Sequence, residues 1–221
     1  MNILSINIQT NKLEESKQFY TEVLQLPIIE LLEESVTVQA GDTILTLEET
    51  TDKVNVYHFA FNIPSNQLQN ALAWAKEHLT LIENIEGNLV TTFETWKAQS
   101  IYFMDNNGNL LEFIAREEIG IDVQGDFSPA QIINISEMGI VAEQPMVQAE
   151  KLIAEYGLTY FDKAQPTEQF LALGDDNGLL IMVTPNRNWF PTTTPAQFTT
   201  SEVMIEDNEL VASLKSADLY K

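Results

Sequence analysis

The run MDNNGNLLEFIAR, residues 104–116, sets one carboxylate, Glu112, among apolar neighbours, and the run NVYHFAFN, residues 55–62, does the same with one imidazole, His58. An ionised carboxylate buried without partners costs several kcal/mol, so Glu112 must meet a metal, a cation, hydrogen-bond donors or water, or else hold a proton. His58 shares a strand face with Val56, Ala60 and Asn62, opposite Tyr57, Phe59 and Phe61, because successive side chains alternate across a strand. Each reads either as a site residue or as a hydrogen-bonded polar group of the core. With no cysteine, a thiolate zinc site and a cysteine nucleophile are excluded, so metal chemistry has to use His and carboxylates. The only other histidine, His78, ends a helical pattern where its charge suits the helix dipole, and it reads as structural.

Both runs belong to recurring elements. A period-2 strand, LSINIQT, precedes helical spacing over Lys12–Leu24 and three strand patterns near Ile28–Leu32, Ser35–Ala40 and Thr43–Glu48. The same order returns as a strand over Val54–Asn62, a helix after Pro64 and Ser65 with Leu68, Ala71, Leu72, Ala75 and Leu79 on one face, and strands near 81–85, 98–104 and 109–114. A three-residue turn with Gly108 in the left-handed region sets Tyr102 opposite Glu112. The acidic connector EEIGIDVQGDFSPAQ, residues 117–131, precedes a third copy, which has a strand over Ile133–Val141, a helix from Pro145 and strands near 158–161, 169–173 and 179–184. Its hairpin LGDDNGLLIMV aligns with MDNNGNLLEFI and puts Met182 at the glutamate's place, so the carboxylate is separable from the turn. The fold class is α+β, and the domain plan is paired units over 1–116, a linker over 117–131 and a third unit with a C-terminal extension over 132–221.

The stretches LEESKQFYTEVLQLP, YHFAFNIP and SIYFMDNNGNLLEFIAR together resemble the vicinal oxygen chelate superfamily of glyoxalases, bleomycin-resistance proteins and extradiol dioxygenases. The resemblance is close over residues 1–116 and looser over 132–184. It implies βαβββ units, the first two pairing into a cup that holds a divalent metal (Zn, Ni, Mn or Fe), with the third unit free for homodimerisation through its sheet edge. It carries metal ligands onto His58 and Glu112, while Ser5 and Thr46 fall where further ligands are expected, which leaves the third ligand missing. Glu48, on the face of Thr46, is a substitute ligand or a strand-end carboxylate. The implied activity is that of a lyase or isomerase on a small vicinal-oxygen substrate, ahead of ring cleavage, with Glu112 and His58 catalytic. The alternative is a metal-free small-molecule binding or sequestration protein of the bleomycin-resistance type. In either case Ser5, Thr46, Tyr102 and Trp96 are expected to line the pocket, with Phe93 and Trp96 in a loop beside it and Trp74 on a helix face.

With 33 acidic residues against 11 basic ones, the net charge of −22 disfavours nucleic acid and anionic membrane surfaces as partners. No apolar run is long enough to span a bilayer, and the N-terminus lacks a basic start with a long apolar stretch, so the expected location is the cytoplasm. In RNWFPT, Arg187 and Trp189 either reach a partner subunit or belong to a loop fastened by its aromatics.

Overall fold

The computed structural model describes all 221 residues. The first unit comprises β1 (Asn2–Thr10), α1 (Leu13–Gln18, continued by a wider turn over Phe19–Val23), β2 (Ile28–Leu31), β3 (Ser35–Ala40) and β4 (Thr43–Glu49). The second comprises β5 (His58–Ile63), α2 (Leu68–His78), β6 (Leu81–Ile82), β7 (Thr91–Phe93), β8 (Ala98–Met104) and β9 (Leu110–Arg116). The third comprises β10 (Asn134–Val141), α3 (Pro145–Tyr156), β11 (Phe170–Asp175) and β12 (Gly178–Val183), its expected strand at 158–161 reduced to a single bridge between Tyr160 and Leu173. A hairpin, β13 (Ser201–Asp207) and β14 (Leu210–Lys215), follows. No helix is long and apolar enough to cross a membrane.

The expected α+β class and repeated units are present, but the units pair differently from the cup expected between the first and second. One sheet runs β14-β13-β1-β4-β3-β2, and the other runs β11-β12-β10-β5-β9-β8-β6 with β7 on β8. The free edge of β5 is taken by β10, antiparallel, with Asn134 opposite Asn62 and Glu137 opposite Ala60. The edge of β1 is taken by β13, with Ile3 opposite Ile205 and Ile6 opposite Val203. The third unit therefore has a sheet partner inside the chain through β10, while its outer strand β11 ends the sheet. Residues 201–215, expected to be an extension, form an antiparallel hairpin that continues the first sheet beyond β1. Val203 and Ile205 are buried while Glu202, Met204 and Glu206 are not, which is the alternation of a strand with one face on the core.

The connector at 117–131 is packed along α2 and does not separate one body from another. Ser65 N donates to Ile121 O, Gln67 Nε2 donates to Val123 O and Gly125 O, and Phe127 is buried against Trp74 and Phe113. The sheets share one apolar core and meet at the start of β10, where Asp42 N donates to Ile133 O at 2.7 Å and Thr43 Oγ1 accepts from Ile135 N at 3.0 Å. Gly41, at φ +60°, is required there, since a Cβ would lie 2.0 Å from Ile133 O.

Candidate metal centre

Three neighbouring strands bring the chemistry together. In β5, His58, Ala60 and Asn62 face one way and Phe59, Phe61 and Ile63 face the buried core. Ala60 lies opposite Glu112 of parallel β9 and opposite Glu137 of antiparallel β10, so the two carboxylates flank a small side chain with His58 one step along the same face. A bulge at Ser136, between the Ile135 and Glu137 pairings, aims Glu137 onto this face.

His58 Nε2 lies 3.9 Å from Glu112 Oε2 and 3.9 Å from Glu137 Oε2, and the three ligand atoms fall within 4.8 Å of one another. His58 Nδ1 is 3.1 Å from Leu110 O, so the Nδ1–H donates there and the Nε2 lone pair faces the carboxylates. Burial depresses the His58 pKa to about 4, so the imidazole is neutral. Burial pushes Glu112 above the usual carboxylate range, and the negative charge of Glu137 pushes it further. Burial also raises Glu137, opposed by the Arg116 guanidinium, whose Nη2 donates to Glu137 Oε1. Arg116 is 1% exposed and completes its contacts with Asn62 Oδ1 at 3.1 Å and Asp176 Oδ1 at 3.4 Å, leaving Glu137 Oε2 toward His58. Glu112 has no cation of its own. The hydroxyls of Tyr102, its cross-strand partner, and of Ser100 lie beside it and oppose the rise in its pKa.

An imidazole lone pair and two carboxyl oxygens thus converge, with no donor between them other than the proton of a neutral Glu112. That set fits a divalent cation: one nitrogen and two oxygen ligands suit Zn, Ni, Mn or Fe, and three protein ligands leave positions open for water or substrate. The backbone carbonyl on Nδ1 and the guanidinium on Glu137 are outer partners of the kind that orient ligands at metal sites.

A cavity of about 280 Å³ opens over these groups, walled by Phe93, Trp96, Tyr102, Ile114, Phe170, Ile181, Trp189 and Phe190, with Arg187 as its fourth charged or imidazole side chain. The segment between β12 and β13 closes one side and is held by Asn186 N to Ala196 O, Ala196 N to Arg187 O and Trp189 N to Thr194 O, at 2.8, 2.8 and 2.9 Å. Trp189 is buried against His58 with ring centroids 5.2 Å apart, and Gly139 makes room for it, since a Cβ at Gly139 would meet the indole at 2.7 Å.

Of the residues anticipated for this site, His58, Glu112, Tyr102 and Trp96 line the cavity, and so does Phe93. Ser5 and Thr46 do not. They lie on β1 and β4 of the other sheet, where Ser5 pairs with Ile44 and Met204, and Thr46 Oγ1 is 3.1 Å from Thr37 Oγ1. Their expected placement follows from pairing units one and two, which β10 and β13 prevent. Glu48 is on that sheet too, accepting from Asn7 Nδ2 at 2.7 Å. Trp74 packs beside the core and stacks on His78, whose Nδ1 lies 2.7 Å from Trp74 O. The expected three-residue turn is found, with Gly108 at φ +80° and Tyr102 opposite Glu112.

Met182 is not the counterpart of Glu112. The β11–β12 hairpin pairs Asp175 with Gly178 across two residues, whereas Asp105 N bonds Asn109 O across three, so counting from the glycine slips by one. One residue reverses a strand's faces. Ile181 therefore lines the cavity while Met182 is in the main core. Sequence reasoning passed over Glu137, although its signal equals that of Glu112: one carboxylate inside the largely apolar strand NISEMGIV of β10.

Residues 2–119 match the family model of the Glyoxalase/Bleomycin resistance protein/Dioxygenase superfamily, and the chain belongs to that family. Among solved structures, a protein from Bacillus subtilis named as a putative dioxygenase is 16% identical, the alignment covering 97% of this chain and 84% of that one with a TM-score of 0.60. A glyoxalase I mutant from Zea mays is 13% identical over 83% of this chain and 68% of that one, with a TM-score of 0.57. At these identities the likeness concerns the fold. No curated protein matches the sequence.

Proposed function

We propose that the chain is a divalent-metal enzyme, with His58, Glu112 and Glu137 as ligands, acting as a lyase or isomerase on a small molecule that presents two neighbouring oxygens. The observation that carries this reading is the convergence of His58 Nε2 with two carboxylate oxygens within 4.8 Å in a buried, aromatic-walled cavity. A bound ion would supply Lewis-acid polarisation of the substrate's oxygens. The chain's own groups divide the remaining work. The aromatic walls exclude water and hold an apolar body, Tyr102 offers a hydroxyl beside Glu112, and Glu137 is held by Arg116. Glu112, the carboxylate without a cation, is the group suited to take a proton from a carbon beside the polarised oxygen, or to serve as the third ligand. One histidine with two carboxylates departs from the two-histidine, one-carboxylate set usual for oxygen activation, which favours non-oxidative chemistry over ring cleavage. Without a metal, the one proton on Glu112 is all that stands between the imidazole lone pair and the two carboxyl groups, and at 3.9 Å neither oxygen is within hydrogen-bond reach of Nε2, so metal-free sequestration is the weaker reading.

The test is metal titration by calorimetry after chelator treatment. One equivalent of Zn²⁺ or Mn²⁺ is expected to bind, with affinity lost in His58→Ala, Glu112→Ala and Glu137→Ala. The pH dependence has a definite sign. Because the Glu112 pKa is raised, a proton must leave as metal binds, so apparent affinity rises with pH by up to about tenfold per unit while that carboxyl is protonated. His58, neutral down to about pH 4, contributes none of that slope above its pKa. No binding above background to folded wild type would sink the reading.

A further inference from the structure

Arg187 is the cavity-lining side chain that the metal reading leaves without a role. Acidic residues outnumber basic ones by 33 to 11, yet Arg187 makes no ion pair, while the chain's other arginine, Arg116, is satisfied by Glu137, Asp176 and Asn62. Its single hydrogen bond is a 3.3 Å contact from Nη1 to Asn188 O, so most of its five donors are unused. The guanidinium carbon lies 4.9 Å from the Phe170 ring centroid, and the residue is half-buried in a segment held by backbone hydrogen bonds. Partial desolvation lowers its pKa, with no counter-charge to offset it.

We infer that the substrate carries a carboxylate, which Arg187 grips through its planar fork while the substrate's neighbouring oxygens face His58, Glu112 and Glu137. The inference rests on the proposed metal reading for the second half of that pose, and on Arg187 alone for the first. A planar guanidinium matches a carboxylate in two parallel hydrogen bonds, and the partly desolvated setting strengthens them. Without such an anchor a net charge of −22 would repel an anionic substrate, so a single unpaired cation in the cavity acts as local compensation. The cavity's volume and its aromatic walls suit a small planar acid.

Catechol and 3,4-dihydroxybenzoate differ only by the carboxylate and both present neighbouring oxygens. Their binding to Zn²⁺-loaded protein, followed by quenching of Trp96 and Trp189 fluorescence and by calorimetry, tests the inference. Wild type is expected to bind the acid at least about tenfold more tightly than catechol, as one charge-assisted bidentate pair implies. That ratio is expected to fall to near one in Arg187→Leu and to an intermediate value in Arg187→Lys, whose ammonium keeps the charge without the fork, with Zn²⁺ affinity within about twofold of wild type in both. A ratio near one in wild type, an unchanged ratio in Arg187→Leu, or no binding of the acid overturns the inference. Failure of the metal reading is seen separately, as absent Zn²⁺ binding in wild type, and the two-ligand comparison is then run on the metal-free protein with the same expected ratios.

Discussion

Glu112→Gln is expected to raise the stability of the metal-free protein at neutral and alkaline pH while removing its metal affinity. In the folded chain Glu112 is 2% exposed, has no cation of its own and sits beside a second carboxylate. Its pKa is therefore higher folded than unfolded, and between those two values the folded state binds more protons. Stability from this group is complete below the unfolded pKa, which is near 4.5, and is lost as pH rises through the folded one. Glutamine keeps the shape and the hydrogen-bonding oxygen without the charge, so it should recover about 1–3 kcal/mol at alkaline pH, the range for relieving an unsatisfied buried polar group. In a chain of this length that corresponds to a rise in Tm of roughly 2–4 °C per kcal/mol. Metal affinity should fall by more than about 100-fold, since even outer partners of a metal site are worth about 10–100-fold. Thermal melts in chelator across a pH series, with calorimetric zinc titration, read both effects. A Gln variant less stable than wild type in chelator at alkaline pH would mean that the carboxylate is well satisfied without a metal, and the centre would need another explanation. His58 works in the opposite direction. Its pKa, lowered to about 4 from 6.5, removes stability as pH falls through that interval, so metal-free wild type should be most stable at mildly acidic pH.

Much of this site is legible in local pattern. His58 and Glu112 stand out because period-2 alternation gives each a face, and the Gly108 turn fixes Tyr102 against Glu112. What local pattern does not decide is which units share a sheet. β1, β5 and β10 are all first strands with similar alternation, and their edge pairings join residues far apart in sequence, such as Ile3 with Ile205 and Ala60 with Glu137. Pairing β5 with the first unit points to Ser5 and Thr46 as further ligands and away from Glu137. The hairpin at 201–215 is hard to see because Asn208 and Glu209 form its two-residue turn without a glycine, both at positive φ. The Met182 comparison fails for a smaller reason, a two-residue turn aligned with a three-residue one. The burial rule that singles out Glu112, applied to every carboxylate inside an apolar strand, reaches Glu137 without knowledge of the topology.

Arg116→Met should be the most destabilising single substitution at the site, because it strands Glu137, while Glu137→Gln in the same chain should restore most of the loss. Removing one partner of a buried ion pair costs about 3–5 kcal/mol, whereas replacing both by uncharged groups of similar volume is often neutral. Arg116 and Glu137 meet this description, being 1% and 4% exposed and directly hydrogen-bonded. Asn62 and Asp176 would also lose a donor, and Trp96 would lose the guanidinium 5.8 Å from its ring, so rescue by the double variant should be large but incomplete. Urea denaturation of the four forms gives the coupling energy, and additive costs would show that the pair is not the unit of stability. Metal distinguishes a positioning role from a purely structural one. Saturating Zn²⁺ stabilises the folded state according to its concentration over Kd, and an ion beside Glu137 supplies the positive charge that the substitution takes away. The stability gap between Arg116→Met and wild type should therefore narrow on adding Zn²⁺. A gap that stays constant would assign Arg116 to the scaffold alone, with Glu137 held toward His58 by the strand and its bulge.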